Sequence, residues 1–115
     1  MRCLTFNHMV ELSSARLDRV FQALSDATRR DMLRRLAGAE HTVSELAEPF
    51  HMSLAAASKH IRTLEEAGLI HRTVEGRVHR CRIEPGPLMG IGRWLRRYDK
   101  FWNNRLDDLE RALKE

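Results

Sequence analysis

The side chains best suited to chemistry lie in the segment SLAAASKHIR, residues 53–62, where hydroxyl and basic groups recur at helical spacing. At 100° per residue, Ala57, Ile61 and Leu64 share one face. The opposite face carries small and basic side chains. Lysine and arginine bind phosphate oxygens and guanine edges, serine hydroxyls bond phosphate or base, and small residues let a helix sit deep in a groove. This pattern predicts a helix that binds DNA.

A second group of cations surrounds a predicted glycine turn. Residues 69–74 and 77–83 alternate loosely and are joined by Glu75-Gly76, a pattern typical of a β-hairpin. Arg77 is expected at the tip, inserted along the minor groove or the DNA backbone. The alternative is a charged strand edge that discourages aggregation. The adjacent basic helix favours a DNA-binding wing, and its arginines are Arg72, Arg77, Arg80 and Arg82.

Capping residues and apolar spacing predict the helices that position these groups. Four helices are expected to begin at side chains that can cap them, namely Ser13 or Ser14, Asp26, Ser44 and Ser53. The third helix is expected over Glu45 to Phe50, followed by a turn at His51-Met52. Gly38 is expected to close the second helix and Gly68 the fourth. The arginines of the second helix are expected on its solvent flank, at positions 29, 30, 34 and 35.

The C-terminal segment is predicted to form one long helix, because Pro87 fits a first turn and no later residue interrupts the pattern. Apolar residues recur there at three- and four-residue steps, which is too much apolar surface for one helix on a small domain. We therefore expect a homodimer, with the first helix contributing. Packing within one chain remains the alternative for part of the stripe. Its predicted residues are Leu88, Ile91, Leu95, Tyr98, Trp102, Leu106 and Leu109.

The order of these elements predicts a winged helix-turn-helix fold, mainly α with a small β-hairpin, in the order α-α-α-α-β-β-α. Residues 1–12 are assigned to an N-terminal leader and residues 13–84 to the winged helix-turn-helix. Residues 85–115 are assigned to a C-terminal dimerisation helix of the same domain. In a dimer, two reading helices would meet successive major grooves about 34 Å apart.

The composition fits one compact soluble domain. The chain has 115 residues, of which 43% are hydrophobic and 31% charged. This length is enough to bury one hydrophobic core and too small for two. Its net charge of +4 is concentrated in residues 59–82, which suits a polyanion. We expect no transmembrane helix, no signal peptide and no membrane partner, and hence a cytoplasmic protein.

Cysteine and histidine residues offer only weak support for a metal or redox site. Cys3 and Cys81 are far apart and are expected to be reduced thiols, with Cys81 facing inward. No histidine pair shows metal-ligand spacing on a helix. His71 and His79 fall on adjacent predicted strands and could face each other, where cross-strand packing or phosphate contact is favoured over metal binding.

Several stretches resemble the ArsR family of bacterial transcriptional repressors, namely RVFQALSDATRRDMLRRLAG, TVSELAEPF, SLAAASKHIRTLEEAGLI and EGRVHRCRI. The resemblance implies a homodimeric repressor that binds an inverted repeat near its own operon. Leu54 stands where polar residues are common in the family. A leucine there cannot form a hydrogen bond to a base, but it could contact a thymine methyl group. The positions that match the family's reading helix are Ser53, Leu54, Ala55, Ala56, Ser58, Lys59, His60 and Arg62.

The family's familiar metal sites are missing from this sequence. The third helix has no cysteine, and the final helix has no histidine to join its aspartates, so no metal or other cofactor is predicted and the effector stays unknown. The chain also lacks a phosphate-cradling loop and a nucleophile elbow, so we predict no enzyme activity. Two alternatives remain: a metal- or thiol-responsive repressor with an unfamiliar sensor site, and a winged-helix protein-interaction module without specific DNA binding.

Overall fold

The structure is a computed structural model, and it describes residues 13–114. The predicted leader at residues 1–12 and Cys3 therefore lie outside the described residues. The helices within this range are α1 Ser14–Leu24, α2 Ala27–Leu36, α3 Val43–Ala47, α4 Leu54–Glu66, α5 Pro85–Arg96 and α6 Asp99–Lys114. The strands are β1 His41–Thr42, β2 Ile70–Glu75 and β3 Val78–Ile83. A 3-10 turn, Glu48–Phe50, follows α3.

Three of the predicted helix caps are confirmed. The side chains of Ser13, Asp26 and Ser53 each accept a hydrogen bond from the backbone N–H three residues later, at 3.2, 3.1 and 3.1 Å. Each cap satisfies one of the N–H groups that a helix start leaves without an intrahelical partner. The hydrogen bond from the Arg29 backbone also lowers the pKa of the Asp26 carboxyl below its ordinary value.

The predicted start of the third helix is wrong by two residues. Thr42 caps α3 and forms a capping box with Glu45: Thr42 Oγ1 accepts from the Glu45 N–H at 3.1 Å, and Glu45 accepts from the Thr42 N–H at 2.8 Å. Two reciprocal hydrogen bonds satisfy more backbone donors than a single cap from Ser44 would. The α-helix ends at Ala47, before Pro49, which lacks an N–H group.

Glycine ends the fourth helix as predicted, but not the second. Gly68 adopts a φ of +77°, the left-handed conformation expected after a helix, and its N–H bonds the Glu65 carbonyl at 2.9 Å. Gly38 does not adopt a positive φ, and α2 ends at Leu36 with Ala37 as its C-cap in right-handed geometry. His51 takes a left-handed φ of +53° in the turn before α4.

The strands form one antiparallel sheet in the order β1-β3-β2. The hairpin, β2 and β3, pairs Ile70 with Ile83 and Glu75 with Val78, so its loop is Gly76-Arg77, one residue later than predicted. Gly76 supplies a φ of +64° that a two-residue turn needs. The two-residue strand β1 is too short to leave a periodic signal in the sequence, and it was not predicted.

The predicted approach of two histidines across the hairpin is wrong. His71 pairs with Arg82, whereas His79 pairs with Val74. Because residues 71 and 74 differ by an odd number, the two imidazoles lie on opposite faces of the sheet. The hairpin therefore does not bring these two rings together.

The core lies between the helices and the inner face of the sheet. Ala57, Ile61 and Leu64 are fully buried, which confirms the predicted inward face of α4. Cys81 is also fully buried, as its strand position predicted. Within residues 13–114, the other fully buried large side chains lie outside α4 and are Val20, Met32, Leu46 and Leu69.

The predicted single C-terminal helix is wrong, because the chain forms α5 and α6 with a break at Arg97 and Tyr98. The N–H groups of these two residues bond the Trp94 and Leu95 carbonyls at 3.3 and 3.0 Å, a tighter i→i+3 pattern that ends α5. Asp99 then opens α6, where a carboxylate favours the helix start. No proline or glycine lies at the break, and the apolar spacing continues across it. The sequence pattern therefore predicted one continuous helix. The observed order is α-α-β-α-α-β-β-α-α.

Among residues 13–114, no helix combines the length and the apolar character needed to cross a membrane.

Candidate nucleic-acid interface

The helix-turn-helix consists of α3, the turn at residues 48–53 and α4, the recognition helix. The Ser53 cap fixes where α4 begins, and its inward face anchors the helix in the core. The opposite face is open to solvent at Ala55, Lys59 and Arg62. Leu54 is 56% exposed at the first helical position. The other predicted reading residues, Ala56, Ser58 and His60, are half-buried on the two flanks.

Three cations of this surface have no ion-pair partner among the described residues. These are Lys59 and Arg62 on α4 and Arg77 in the hairpin loop, all of them exposed. An exposed cation that has no carboxylate partner within the protein can neutralise a phosphate without first breaking an ion pair. These three side chains are therefore the strongest candidates for phosphate or base contact.

Arg72 behaves differently from the other predicted wing cations. Its Nη2 lies 2.6 Å from Glu65 Oε1 on α4, and its side chain is only 16% exposed. The hydrogen bond to Glu65 raises the pKa of the Arg72 guanidinium above its ordinary value. Its Nη1 also lies 3.4 Å from His79 Nδ1. Arg72 therefore ties the hairpin to the recognition helix rather than extending toward a ligand.

The remaining hairpin arginines are partly neutralised. Arg80 Nε lies 3.9 Å from Glu75 Oε1, and Arg82 Nη2 lies 3.4 Å from Glu84 Oε1. Both pairs are well exposed, so each is weak and can exchange for another partner. The predicted role of Arg80 in DNA binding thus rests on a cation that already has a local carboxylate.

A cleft of about 280 Å³ separates the recognition helix from the hairpin. It brings together the predicted residues Leu54, Ser58 and Arg77, but not Lys59, Arg62 or Arg80. Arg72 of the predicted wing and His79 also line it. The lining residues that were not predicted as site residues come from β1, the start of α3 and β3, and they are Thr42, Val43, Ser44 and Val78.

The arginines of α2 were predicted on its solvent flank. Three of them also donate hydrogen bonds to backbone carbonyls. Arg29 donates from Nε to the Ala23 carbonyl at 2.8 Å, Arg30 donates to the Leu24 carbonyl at 2.6 Å, and Arg35 donates to the Glu45 carbonyl at 3.0 Å. The first two carbonyls end α1, where cations satisfy acceptors that have no intrahelical partner. Arg30 and Arg34, which pairs with Asp31, are exposed as predicted, whereas Arg29 and Arg35 are half-buried.

Known proteins share this architecture. Residues 24–73 match a family model described as a helix-turn-helix domain. An HTH-type transcriptional regulator of Mycobacterium tuberculosis is 35% identical over 89 residues, which cover 77% of this chain and 80% of that protein. A crystal structure of an ArsR-family transcriptional regulator is 42% identical, covers 81% of this chain and 96% of its own, and has a TM-score of 0.76. This chain belongs to the ArsR family.

As an ArsR-family winged helix-turn-helix protein, the chain is a DNA-binding transcriptional regulator and not an enzyme. The transcriptional repressor SdpR of Bacillus subtilis is 39% identical over 54 residues, which cover 47% of this chain and 60% of that protein. A homodimeric winged helix-turn-helix domain from Mycobacterium bovis, a possible ArsR-family regulator, is 26% identical. It covers 73% of this chain and 81% of its own, with a TM-score of 0.59.

The described part of this ArsR-family chain contains no group of three or more histidine, cysteine or acidic residues placed to hold a metal ion. Cys81 is a buried free thiol, and burial raises its pKa above the ordinary value. A protonated, inaccessible thiol reacts slowly with oxidants. The Cys81 thiol is thus protected from rapid reaction by its buried position.

Proposed function

We propose that the protein is a repressor that binds an inverted repeat near its own gene as a homodimer. The observation that carries this proposal is a trio of exposed cations on α4 and the hairpin loop, Lys59, Arg62 and Arg77, which have no ion-pair partner within residues 13–114. Each lies on an element that winged helix-turn-helix proteins bring to DNA. Serine hydroxyls and the start of the recognition helix add neutral donors for phosphate.

The proposed dimer interface is the exposed C-terminal apolar stripe that begins at the end of α5 and continues along α6. Leu95, Tyr98, Trp102, Leu106 and Leu109 are each between 43 and 60% exposed in the isolated chain. An apolar surface of that extent is unfavourable in water unless another surface covers it. A second copy of the same stripe is the covering surface that we propose, by analogy with the homodimeric relative.

The first part of the predicted stripe is used within the subunit. Ile91 is only 7% exposed, and Leu88 packs against the same core. Trp94 lies edge-on to Phe21 of α1, with ring centroids 5.5 Å apart. These contacts attach α5 to the winged helix, so the proposed interface begins at Leu95. A dimer held there would fix the spacing of its two recognition helices.

The test is binding of the purified full chain to its own upstream DNA. Fluorescence anisotropy measures this binding at physiological salt with excess nonspecific competitor. We expect binding at least a thousandfold tighter than to a scrambled duplex, with two subunits per site. A variant that carries both Lys59→Ala and Arg77→Ala should lose most of this binding. Binding that the competitor abolishes on every duplex, including duplexes selected from a random pool, would contradict sequence-specific repression.

A further inference from the structure

Leu54 is an unusual residue for the exposed start of a recognition helix. It is the first residue of α4 and is 56% exposed, whereas Ile61 and Leu64 of the same helix are completely buried. The Ser53 cap holds this start in place, with its Oγ accepting from the Ala56 N–H at 3.1 Å. The leucine side chain is thus presented to solvent by a fixed backbone.

The cleft beside Leu54 is lined by apolar, hydroxyl and basic side chains. Val43 and Val78 line the same cleft, and Val78 is itself 42% exposed. Arg77 lies in the adjoining hairpin loop, and Ser58 lies one turn further along α4. The group that covers Leu54 in a complex is therefore expected to be apolar and to belong to a polyanion.

DNA offers one apolar group on the edges of its bases in the major groove, the C5-methyl group of thymine. The N-terminal residues of a recognition helix are those that contact base edges. We propose that Leu54 determines part of the operator sequence by packing on the methyl group of one thymine in each half-site. This inference rests on the proposed DNA binding through α4, and it names the base and the atom that are read.

The expected loss of affinity is small when one half-site lacks the thymine methyl group and measurable when both half-sites lack it. Burial of one methyl group against a leucine changes affinity by about fourfold. Two equivalent half-sites bound by a dimer give about fifteenfold if they act independently. Because the methyl contact neutralises no phosphate charge, its loss should not depend on salt concentration, unlike the loss of a phosphate contact.

The experiment replaces thymine with deoxyuridine, which removes the methyl group and keeps every hydrogen-bonding edge. Duplexes that bind tightly are first selected from a random pool, and each thymine is then replaced symmetrically in both half-sites. We expect one position at which wild-type affinity falls about fifteenfold. Leu54→Ala should bind the thymine and deoxyuridine duplexes equally, whereas Leu54→Met, which keeps the apolar volume, should retain most of the difference.

Three outcomes would overturn this inference. If wild type binds its selected duplex but tolerates deoxyuridine at every position, the methyl contact is absent while the repressor proposal stands. If Leu54→Ala keeps the full deoxyuridine effect, another residue reads the methyl group. If no duplex is bound with sequence preference, the proposed function fails as well, which the selection step reveals before any base is modified.

Discussion

Arg29 of α2 donates a hydrogen bond to His60 of the recognition helix, with 3.3 Å between Nη1 and Nδ1. Asp26 Oδ2 lies 3.9 Å from the same ring nitrogen, so His60 Nδ1 faces both a guanidinium and a carboxylate. The same guanidinium donates to the Ala23 and Gln22 carbonyls at 2.8 and 3.1 Å. One side chain therefore connects the end of α1, the start of α2 and the middle of α4.

Replacing Arg29 with glutamine should destabilise the fold. Loss of donors to two carbonyls and to the imidazole is expected to lower the free energy of unfolding by about 1–3 kcal/mol. Urea denaturation measures this change. The control is Arg34→Gln, because Arg34 is 74% exposed in a surface pair and should change stability by less than about 0.5 kcal/mol. Equal effects of the two variants would refute the connecting role.

Single replacement of Lys59 or Arg77 by alanine should weaken DNA binding by about 1–3 kcal/mol if the side chain contacts a base. If it contacts phosphate, the loss should be similar on all sequences, and the dependence of log affinity on log salt should become shallower by about one per contact. Anisotropy titrations at several salt concentrations separate the two cases. Arg111→Ala, on the distant α6, is the control variant. Unchanged affinity in both test variants would mean that the reading surface is assigned wrongly.

Trp102→Ala should weaken the dimer, because the indole is 59% exposed in the single chain and would lie within the proposed interface. Truncation of a buried interface tryptophan costs on the order of 2 kcal/mol or more. Sedimentation equilibrium over a range of protein concentrations measures this shift. Asn103→Ala alters the neighbouring exposed residue of the same helix and should leave association unchanged. A Trp102→Ala protein that remains dimeric at nanomolar concentration would show that the stripe is not the interface.

The Cys81 thiol should make stability fall at alkaline pH. Burial, as the largest effect, raises its pKa in the folded state, so the folded protein holds this proton where the unfolded chain releases it. The contribution is complete below the ordinary thiol pKa of about 8.5 and is lost as pH rises through the higher folded value. Urea denaturation between neutral pH and pH 10, in a Cys3→Ser background, measures this loss.

Cys81→Ala, in the same Cys3→Ser background, provides the comparison for the alkaline loss. Its absolute stability should be lower because of the cavity, but its stability should fall less steeply with pH. The thiol should also react with a disulfide reagent only as fast as the protein opens. Rapid labelling of Cys81 under native conditions would contradict the buried position.

Local sequence signals predicted the recognition helix well, because they act within a few residues. The Ser53 cap, the spacing of Ala57, Ile61 and Leu64, and the left-handed Gly68 each depend on backbone geometry that adjacent residues determine. The same holds for the hairpin, whose loop was displaced by only one residue. From the sequence alone, the order of these elements and the basic character of the α4 surface were already determined.

Tertiary structure decided which of the basic side chains face outward. Arginine is long enough to reach either a carboxylate on another helix or solvent, and nothing in its sequence position distinguishes the two. Arg72 turns inward because Glu65 of α4 lies 2.6 Å away, and Arg29 turns inward to the carbonyls that end α1, whereas Arg77 has no such partner among residues 13–114. The break after α5 likewise had no local signal. Local residues thus determined the elements, and contacts between distant residues determined which charges remain available for DNA.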